Sequence, residues 1–536
     1  MTNQSELVAS HLRVLVTDRL AQAGVDLLQA MPGLTVDVRN DLGAAALLEE
    51  CRTADALIIR SASRVTADVL ANAPRLKVVG RAGVGVDNVD LEAATTRGVV
   101  VMNTPGGNSI SAAEHTLSML LSLVKNIPQA AASMRAGKWE KTRFLSTELS
   151  GKVLGIIGLG RIGGEVAKRA KAFNMRIMVH DPYVSAERAE ALGVELVDLS
   201  GLYRQADFLT VHVPGTEETG NLISAETIAQ MKDGVRIINC ARGGIVNEAD
   251  LYEALRSGKV AGAALDVFAK EPTTDSPLFT LPNFISTPHL GAASEEAQEA
   301  VAVEIAQQVI DYLQKGLIRN AVNAPSVPLE TLRKLQPYLA LGEKLGRLGS
   351  QLAEGRLAEI RLSFQGEIAA LDCAPLAVAT VQGVLAPMHD NVNMVNALPI
   401  AKARGVRVVE SKSTAPTDFA SLISVALVTD RYTSDVAGTL FSYKDARLVE
   451  IDGFRVEAVL DGLLLIYSNM DVPGVIGRIG TMLGQYGVNI AGMQLGRKER
   501  GGRAIAVVNV DDTIPAHVMQ EIRRIPNIVY AKLVRV

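Results

Sequence analysis

The sequence predicts an α/β protein with two doubly wound parallel sheets, followed by two smaller α+β units. Apolar strand-like runs alternate with helical patterns over residues 12–102 and again over 153–287, which is typical of parallel sheets covered on both faces. Two long helical patterns, Ser109 to about Asn126 and Ser294 to about Gln314, lead out of the first unit and back into it. The segment after residue 460 predicts the order βαββαβ, which is ferredoxin-like.

The bulk properties of the 536-residue chain exclude several classes of protein. Hydrophobic residues make up 48% and charged residues 21%, as in ordinary soluble globular proteins, and the length predicts roughly three or four domains. The net charge is −4 with both signs interspersed, so we expect no nucleic-acid partner. No apolar run reaches the ~18 residues of a membrane span, so we expect no membrane partner. Residues 1–10 lack the regions of a secretory signal and predict a short mobile tail.

The three cysteines, Cys51, Cys240 and Cys373, are sparse and odd in number. This set provides neither a disulfide framework nor the spacing of metal ligands, so we expect no metal site. A reducing compartment, the cytoplasm, is the expected location.

The first α/β unit places two arginines where an anion can bind. Its strands are predicted at Leu12–Thr17, Leu34–Val38, Ala56–Ile59, Lys77–Gly80 and Val99–Met102. Arg60 and Arg81 follow two of these strands, and ligands of open α/β sheets bind at the carboxyl ends of strands. The alternative for each arginine is an ion pair at the surface.

A polar excursion over residues 136–150 follows the first long helical pattern. It contains Trp139, the only tryptophan of the chain. Two interpretations stay open, namely packing within the chain or an anchor on a partner subunit.

The chain is organised around the segment Gly151–Asp181, in which a strand, a glycine turn, a helix and a second strand end at an acid. Gly158 permits the tight turn, Gly160 lets a pyrophosphate approach the backbone, and Gly163 lets the helix pack on the strand. The start of the helix offers free N–H groups to phosphates. Asp181 can accept both hydroxyls of an adenosine ribose and would repel a 2′-phosphate, which favours NAD over NADP. The alternative is a glycine turn without a nucleotide.

Three later strand ends carry polar residues that suit hydride transfer at a hydroxyl carbon. The strands of this second unit are predicted at Val153–Ile157, Arg176–His180, Phe208–Val213, Val235–Asn239, Ala261–Asp266 and Asn283–Ser286. Because parallel strands end at one edge, we expect Arg242, Glu271 and His289 to converge beside the nicotinamide. His289 can take the hydroxyl proton, Glu271 can hold the imidazole, and Arg242 can bind a substrate carboxylate. The alternatives are unrelated loop residues and, for Cys240, a nucleophile or a small residue at a strand end.

The last two units are separated from the first two by a proline-rich boundary at residues 321–336. Residues 337–455 predict a helical opening and strands at Ile360–Phe364, Val406–Glu410 and Leu422–Leu427. The final unit predicts strands at Leu463–Ser468, Asn489–Leu495, Arg503–Val510 and Ile528–Val534, with helices at Val475–Tyr486 and Pro515–Arg524.

These motifs together resemble the D-isomer-specific 2-hydroxyacid dehydrogenases. The resemblance rests on VLGIIGLGRIGGEVAKRAKAF, the histidine of TVHVPGT, INCARGGIVNEADL, ALDVFAKEP and TPHLGAAS, in the expected order over residues 12–320. GRAGVGVDNVD, VMNTPGGNSISAAEH and STELSGK are similar to the branch that oxidises D-3-phosphoglycerate. YSNMDVPGVIGRIGTMLGQYGVNI resembles an ACT domain, a small effector-binding module. The block at 330–455 then resembles the extra domain of the long form.

The resemblance implies a flavodoxin-like substrate domain, a Rossmann NAD domain, an intervening domain and an ACT domain. The implied bounds are 1–103 completed by 289–322, then 104–288, 323–458 and 459–536. It implies Arg242, Glu271 and His289 as catalytic residues, and Arg60 and Arg81 as ligands of the substrate phosphate, with Asn108 nearby as a further substrate-binding residue. The implied cofactor contacts are Val84, Gly158, Gly160, Arg161, Ile162, Gly163, Asp181, Val213, Cys240, Ala241, Arg242, Asp266, His289 and Gly291. Val84 and Asn469 depart from the threonine and the His or Tyr that are usual in relatives.

The function that the resemblance implies is oxidation of D-3-phosphoglycerate to 3-phosphohydroxypyruvate with NAD, the entry to L-serine synthesis. L-Serine is the expected effector, bound through Asn469, Asp471 and Asn489 where two ACT units of a homo-oligomer, a dimer or a tetramer, meet. One alternative is a glyoxylate or hydroxypyruvate reductase, which would need neither Arg60 and Arg81 nor an effector unit. Another is a binding protein that senses NAD on a dehydrogenase fold, against which the intact Arg, Glu and His argue.

Overall fold

The computed structural model describes residues 11–415 and 418–536. The tail predicted at residues 1–10 lies outside the described residues. The described chain forms four sheets in sequence order, of five, seven, six and four strands. In this part of the chain, no helix is both long and apolar enough to cross a membrane.

The first sheet is parallel and doubly wound, with strand order β2-β1-β3-β4-β5, as expected for a flavodoxin-like unit. Its strands are β1 (Leu12–Val16), β2 (Leu34–Val38), β3 (Ala56–Ile59), β4 (Val78–Arg81) and β5 (Val100–Asn103). Its helices are α1 (Gln22–Gln29), α2 (Ala44–Cys51), α3 (Ala67–Ala71) and α4 (Leu91–Thr96). Each predicted strand forms, displaced by no more than one residue. The central strands are buried on both faces, which explains their continuous apolar sequences.

The crossing out of this unit is α5 (Ser109–Lys125), as predicted, followed by α6 (Ile127–Arg135), which was not predicted separately. Asn126 joins the two helices in the left-handed region, with a φ of 54°. The excursion beyond α6 leaves Trp139 81% exposed, so the interpretation that this side chain packs within the chain is wrong.

The second sheet is parallel and has the Rossmann order, β12-β11-β10-β9-β6-β7-β8. Its strands are β6 (Val153–Ile157), β7 (Arg176–His180), β8 (Glu195–Leu196), β9 (Phe208–Val211), β10 (Val235–Asn239), β11 (Val260–Leu265) and β12 (Phe284–Ser286). Its helices are α7 (Arg161–Lys171), α8 (Ala186–Leu192), α9 (Leu199–Gln205), α10 (Ala225–Gln230) and α11 (Glu248–Ser257). Only the two-residue strand β8 was not predicted.

The crossing back is α12 (Glu295–Lys315), which packs on the first sheet as expected. Val301, Ile305 and Val309 join the core formed by β1, β3 and β4. A Cβ at Gly24 would lie 2.7 Å from the carbonyl oxygen of Ala302, so α1 and α12 approach more closely than any side chain at position 24 allows. The two crossings therefore place the first two units side by side with a cleft between them.

The third unit is a mixed sheet covered by helices, with strand order β14-β13-β15-β16-β17-β18. It contains α13 (Leu329–Leu352), β13 (Leu357–Gly366), α14 (Ala374–Leu385), α15 (Ala397–Ala403), β14 (Arg407–Ser413), β15 (Ser421–Thr429), β16 (Thr433–Phe441), β17 (Asp445–Ile451) and β18 (Phe454–Val459). The predicted boundary at 321–336 is helical from Leu329 onward, even though Pro337 lies inside α13. The antiparallel strands β16–β18 were not predicted.

The fourth unit has the predicted βαββαβ order and the ferredoxin-like strand order β20-β21-β19-β22. It contains β19 (Leu463–Met470), α16 (Val475–Gln485), β20 (Ile490–Arg497), β21 (Arg503–Val510), α17 (Ala516–Arg524) and β22 (Ile528–Arg535). Leu464 and Ile466 pack into the core of the third unit, whereas Leu465 and Tyr467 pack under α16 and α17. The alternation along β19 therefore covers both faces of this sheet within the chain. The predicted fold class is confirmed, while the exact domain bounds stay a prediction.

Candidate active site

A cavity of about 590 Å³ lies in the cleft between the first two units. Its lining includes Arg60, Arg81 and Asn108 from the first unit and the start of α5, and Glu271 and His289 from the second unit. The structure thus brings together five of the residues predicted for catalysis and substrate binding, because the carboxyl ends of both parallel sheets open on the same cleft. Ser61, Arg64 and Asn88, which were not predicted as site residues, also line it.

The turn after β12 holds His289 in a conformation that a side chain rarely adopts, with a φ of 57°. The backbone N–H of His289 donates to the carbonyl of Asp266 at 2.9 Å. The fully buried Asp266 carboxylate accepts from the N–H groups of Leu290 at 2.7 Å and Gly291 at 2.8 Å, and from the Thr287 hydroxyl at 2.6 Å. These bonds offset the backbone strain and fix the direction of the imidazole.

His289 and Glu271 form a charge-assisted pair, with 2.7 Å between Nδ1 and Oε2. The other carboxylate oxygen of Glu271 accepts from the Phe268 N–H at 2.9 Å. The hydrogen bond that His289 donates to Glu271 raises the pKa of His289, and burial opposes it. Burial raises the pKa of Glu271, but the hydrogen bonds from His289 and Phe268 outweigh it and leave the pKa lowered. Glu271 is therefore an acceptor, so Nδ1 carries the proton and Nε2 is the free base.

Arg242 lies in the loop after β10, next to the cavity, and spans the cleft. Its Nη1 donates to the carbonyl of Ala241 at 2.7 Å, and its Nε lies 3.2 Å from Oδ2 of Asp87 in the first unit. The loop is held by Asn239, whose side chain accepts from the Ala241 N–H and donates to the Arg242 carbonyl. Asp87 was not predicted as part of the site.

Arg81 and Asn108 enter the cavity with polar atoms that have no partner. Nε of Arg81 and Oδ1 of Asn108 are buried without a hydrogen bond. Burial, followed by the charges of Arg242 and Arg60, lowers the pKa of Arg81 to about 10. Buried polar groups are normally paired, so these atoms indicate a polar ligand, and the surplus of arginines indicates an anionic one.

The loop that carries Arg60 is fixed by a buried acid. Oδ2 of Asp18 accepts from the N–H groups of Arg60 at 2.6 Å and Ala62 at 3.2 Å. The Arg60 side chain donates to the carbonyl of Arg19 at 3.1 Å. These contacts hold Arg60 in the lining of the cavity that also contains Glu271 and His289.

The glycine turn between β6 and α7 fits a dinucleotide. A Cβ at Gly163 would lie 2.1 Å from the Gly158 carbonyl oxygen, and one at Gly158, where φ is +93°, would lie 2.6 Å from the His212 carbonyl oxygen. A Cβ at Gly160 would meet nothing within 4 Å, so the backbone there is open to a ligand. No side chain caps α7, which leaves the N–H groups at Arg161 and Ile162 available to phosphates.

Asp181 closes this site from the end of β7. Its Oδ2 accepts from the Leu159 N–H at 2.8 Å, and its Oδ1 accepts from the Tyr183 N–H at 2.9 Å. The carboxylate is thereby held beside the glycine turn, where a ribose binds in this fold.

The remaining predicted cofactor contacts lie at strand ends along the cleft. A Cβ at Gly291 would lie 3.2 Å from the Asp266 carboxylate and 3.9 Å from the Cys240 carbonyl, so these three residues meet. Val213 packs at Gly158, and the carbonyl of Val84 accepts from the Asn103 side chain. Burial raises the pKa of the Cys240 thiol to about 12, so the interpretation of this residue as a nucleophile is not supported.

The predicted effector residues are not brought together within one chain. Asp471 lies at the Met470 end of β19 and accepts from Arg497 at 2.7 Å, while Asn489 donates to Asp511 at 2.6 Å. Leu463 and Ile490 both pair with Val510, so Asn489 lies at the opposite end of the sheet, roughly 25–30 Å away at ~3.3 Å per residue. Asn469 is buried, and its Oδ1 has no partner.

No group of three or more His, Cys, Asp or Glu side chains in the described ranges is arranged to hold a metal ion. The three cysteines are free.

Three segments of the chain match known families. Residues 117–291 match the D-isomer specific 2-hydroxyacid dehydrogenase, NAD binding domain. Residues 334–452 match the D-3-phosphoglycerate dehydrogenase intervening domain, and residues 463–527 match the ACT domain.

Curated relatives match over almost their whole length. The D-3-phosphoglycerate dehydrogenase of Methanocaldococcus jannaschii is 46% identical over 519 residues, which cover 96% of this chain and 98% of the relative. The enzyme of the same name from Bacillus subtilis is 42% identical, covering 97% of this chain and 99% of the relative. Among solved structures, a D-lactate dehydrogenase from Aquifex aeolicus complexed with NAD and lactic acid has a TM-score of 0.53 at 30% identity, covering 58% of this chain and 100% of that one.

The fold and the site together define an NAD-dependent dehydrogenase of 2-hydroxy acids. Within that class, the curated relatives and the matches to the intervening domain and the ACT domain identify the family. The chain belongs to the D-3-phosphoglycerate dehydrogenase family, in the long form with an intervening domain and an ACT domain.

Proposed function

We propose that this chain oxidises D-3-phosphoglycerate to 3-phosphohydroxypyruvate with NAD, the first step of L-serine synthesis. The observation that carries the proposal is one cavity lined both by the His289–Glu271 pair and by Arg60 and Arg81. A hydroxy acid with a phosphate needs a base at its hydroxyl and cations at its two charged ends. The family membership of the chain supports the same substrate.

In this mechanism Arg242 holds the substrate carboxylate and steadies charge on the reacting oxygen, while Arg60 and Arg81 hold the phosphate near Asn108. Nε2 of His289 accepts the hydroxyl proton, and Nδ1–H donates to Glu271, which stabilises the imidazolium that results. In the reverse reaction the imidazolium returns that proton to the carbonyl oxygen. His289, Glu271 and Arg242 are thus the proposed catalytic residues.

The substrate carbon would lose its hydride to a bound NAD, which would supply the acceptor. Gly158, Gly160 and Gly163 with Arg161 and Ile162 would hold its pyrophosphate, and Asp181 its adenosine ribose. The strand-end residues would line the nicotinamide half, namely Val84, Val213, Cys240, Ala241, Asp266 and Gly291. The neutral form of His212 is favoured there, because burial lowers the pKa of that imidazole to about 4.

Steady-state assays with 3-phosphoglycerate, glycerate and lactate test the substrate. We expect the highest kcat/KM for 3-phosphoglycerate, since only this acid uses the phosphate ligands. A higher kcat/KM for glycerate or lactate would refute the proposal, and NAD binding without turnover would support a sensing protein instead.

We also propose that the chain works as a homo-oligomer in the cytoplasm and that L-serine binds its ACT unit. Trp139 is 81% exposed together with Leu145 at 84%, and such side chains anchor subunit contacts. Because Asp471 and Asn489 lie far apart in one chain, a ligand shared by them requires two chains. Calorimetry with L-serine on the whole chain tests this, and binding that survives Asp471→Ala with Asn489→Ala would place the site elsewhere.

A further inference from the structure

One ion pair bridges the cleft between the first two units. Asp87 follows β4 of the first unit, and Arg242 follows β10 of the second, with 3.2 Å between Oδ2 and Nε. Arg242 also donates through Nη1 to the carbonyl of Ala241 at 2.7 Å. Two of the three guanidinium nitrogens are thereby held by protein groups, one from each unit, and neither contact uses Nη2.

A glycine makes room for this pair. A Cβ at Gly85 would lie 2.3 Å from Nη2 of Arg242 and 2.8 Å from Oδ2 of Asp87. The guanidinium and the carboxylate therefore lie directly over the Gly85 backbone, in a space that any side chain at position 85 would fill. The φ angle of Gly85 is not in the left-handed region, so a Cβ at this position would displace the two side chains without straining the backbone.

The charges around the pair explain why an acid belongs here. Arg60 and Arg81 line the cavity beside Arg242, and the charges of Arg242 and Arg60 add to burial in lowering the pKa of Arg81. Asp87 acts in the opposite direction on Arg81. Without a carboxylate at this position, repulsion between guanidinium groups would favour orientations of Arg242 that point away from the cavity.

We propose that Asp87 is a positioning residue for Arg242, holding the guanidinium over Gly85 so that it meets the substrate carboxylate in one orientation. This inference rests on the proposed function, because it takes Arg242 as the ligand of that carboxylate. The Asp87 side chain is 70% exposed, and exposed ion pairs contribute little to folding, so its effect is on the orientation of Arg242 and not on stability.

Three variants of the full-length enzyme distinguish the effect of the orientation of Arg242 from the effect of the charge of Asp87. Asp87→Ala removes the acceptor and should lower kcat/KM for 3-phosphoglycerate about threefold, chiefly through a higher KM, because solvent screens a pair this exposed. Asp87→Asn keeps an oxygen that accepts from Nε and should recover part of that loss. Gly85→Ala keeps both charges but displaces the guanidinium, and it should reproduce the defect of Asp87→Ala. KM for NAD and the melting temperature should stay at the wild-type values in all three.

The matched control is Glu92→Ala, which removes an exposed acid in the first turn of α4 and should leave the kinetics unchanged. Binding of 3-phosphoglycerate to the NADH complex, followed by NADH fluorescence, extends the test to Arg242→Ala. In that background Asp87→Ala should have no further effect on binding, because Asp87 acts through Arg242.

Three results would overturn the inference. They are a full additional loss from Asp87→Ala in the Arg242→Ala background, a normal KM in either Asp87→Ala or Gly85→Ala, and a lower KM in Asp87→Ala. The last would identify Asp87 as a competitor for the guanidinium. Wild-type turnover of 3-phosphoglycerate tests the proposed function separately, since the variants are compared only with the wild type.

Discussion

Replacing Glu271 with Gln is the most direct test of the His289–Glu271 pair. The amide oxygen of Gln can still accept from Nδ1 of His289, so the geometry is kept while the charge is lost. A charge-assisted hydrogen bond is worth about 1.5–3 kcal/mol. The two side chains are 49% and 35% exposed, so solvent screening places the loss at the lower end of that range. We therefore expect kcat/KM for oxidation to fall by about tenfold near neutral pH.

The pH profile gives the sharper result. With His289 as the proposed base, oxidation needs the neutral imidazole. The kcat/KM for oxidation should therefore rise with pH as His289 loses its proton, and that for reduction should fall over the same interval. Glu271 raises the pKa of His289, so the pH-dependent limb of each wild-type rate profile lies above the ordinary histidine pKa of about 6.5. In Glu271→Gln that contribution disappears while burial and Arg242 still lower the pKa, so both limbs should move to lower pH.

Kinetics from pH 5 to pH 10 in both directions, in about half-unit steps, measure this shift. The matched control is Glu248→Gln. Glu248 accepts from the N–H of Ala269 at 2.7 Å, in the loop that carries Glu271, but has no contact with His289. The control should leave the limbs in place. A loss of activity in Glu271→Gln with no movement of the limbs would refute the assignment of Glu271 as the partner that sets the protonation of His289.

Three further outcomes are expected. Arg81→Ala, and likewise Arg60→Ala, should lower kcat/KM about tenfold to a hundredfold for 3-phosphoglycerate but much less for glycerate, and equal losses would make these arginines structural. Asp181→Ala should narrow the preference for NAD over NADP in initial-rate assays, whereas an unchanged ratio would place the ribose elsewhere. Gly163→Ala should raise KM for NAD and lower the melting temperature, because its Cβ meets the Gly158 carbonyl oxygen at 2.1 Å, and normal values for both would contradict the close packing of α7 on the turn.

The parts of the site that could be predicted from the sequence lie at the carboxyl ends of strands. His289 and Glu271 lie after apolar strands of the same parallel sheet, and such strands end at one edge, so their meeting follows from the local pattern. The glycine turn and Asp181 were predictable for the same reason. Family resemblance alone predicts cofactor contacts for Val84 and Cys240, for which the local pattern offers no signal.

The parts that could not be predicted depend on contacts between units. Asp87 looks like one more polar residue in a turn, and only the packing of the two units places it on Arg242. The strands of the 433–459 meander escaped prediction because Thr433–Phe441 mixes polar residues with a glycine and alternates weakly. Arg64 lies in the same loop as Arg60 and also lines the cavity. The presence of a second arginine in this loop was the sequence signal that could have predicted it as a site residue.

If L-serine binds the ACT unit through Asp471 and Asn489 as proposed, their separation along the fourth sheet makes the dilution of the enzyme a variable of its regulation. A ligand that needs both residues binds only to associated chains, so its apparent affinity depends on the concentration of the protein as well as on its own. Catalytic assays use very dilute enzyme, whereas calorimetry and the cell hold far more. Serine sensitivity measured by turnover would then fall below that measured by binding, and adding catalytically inactive His289→Ala chains to a dilute assay would restore it.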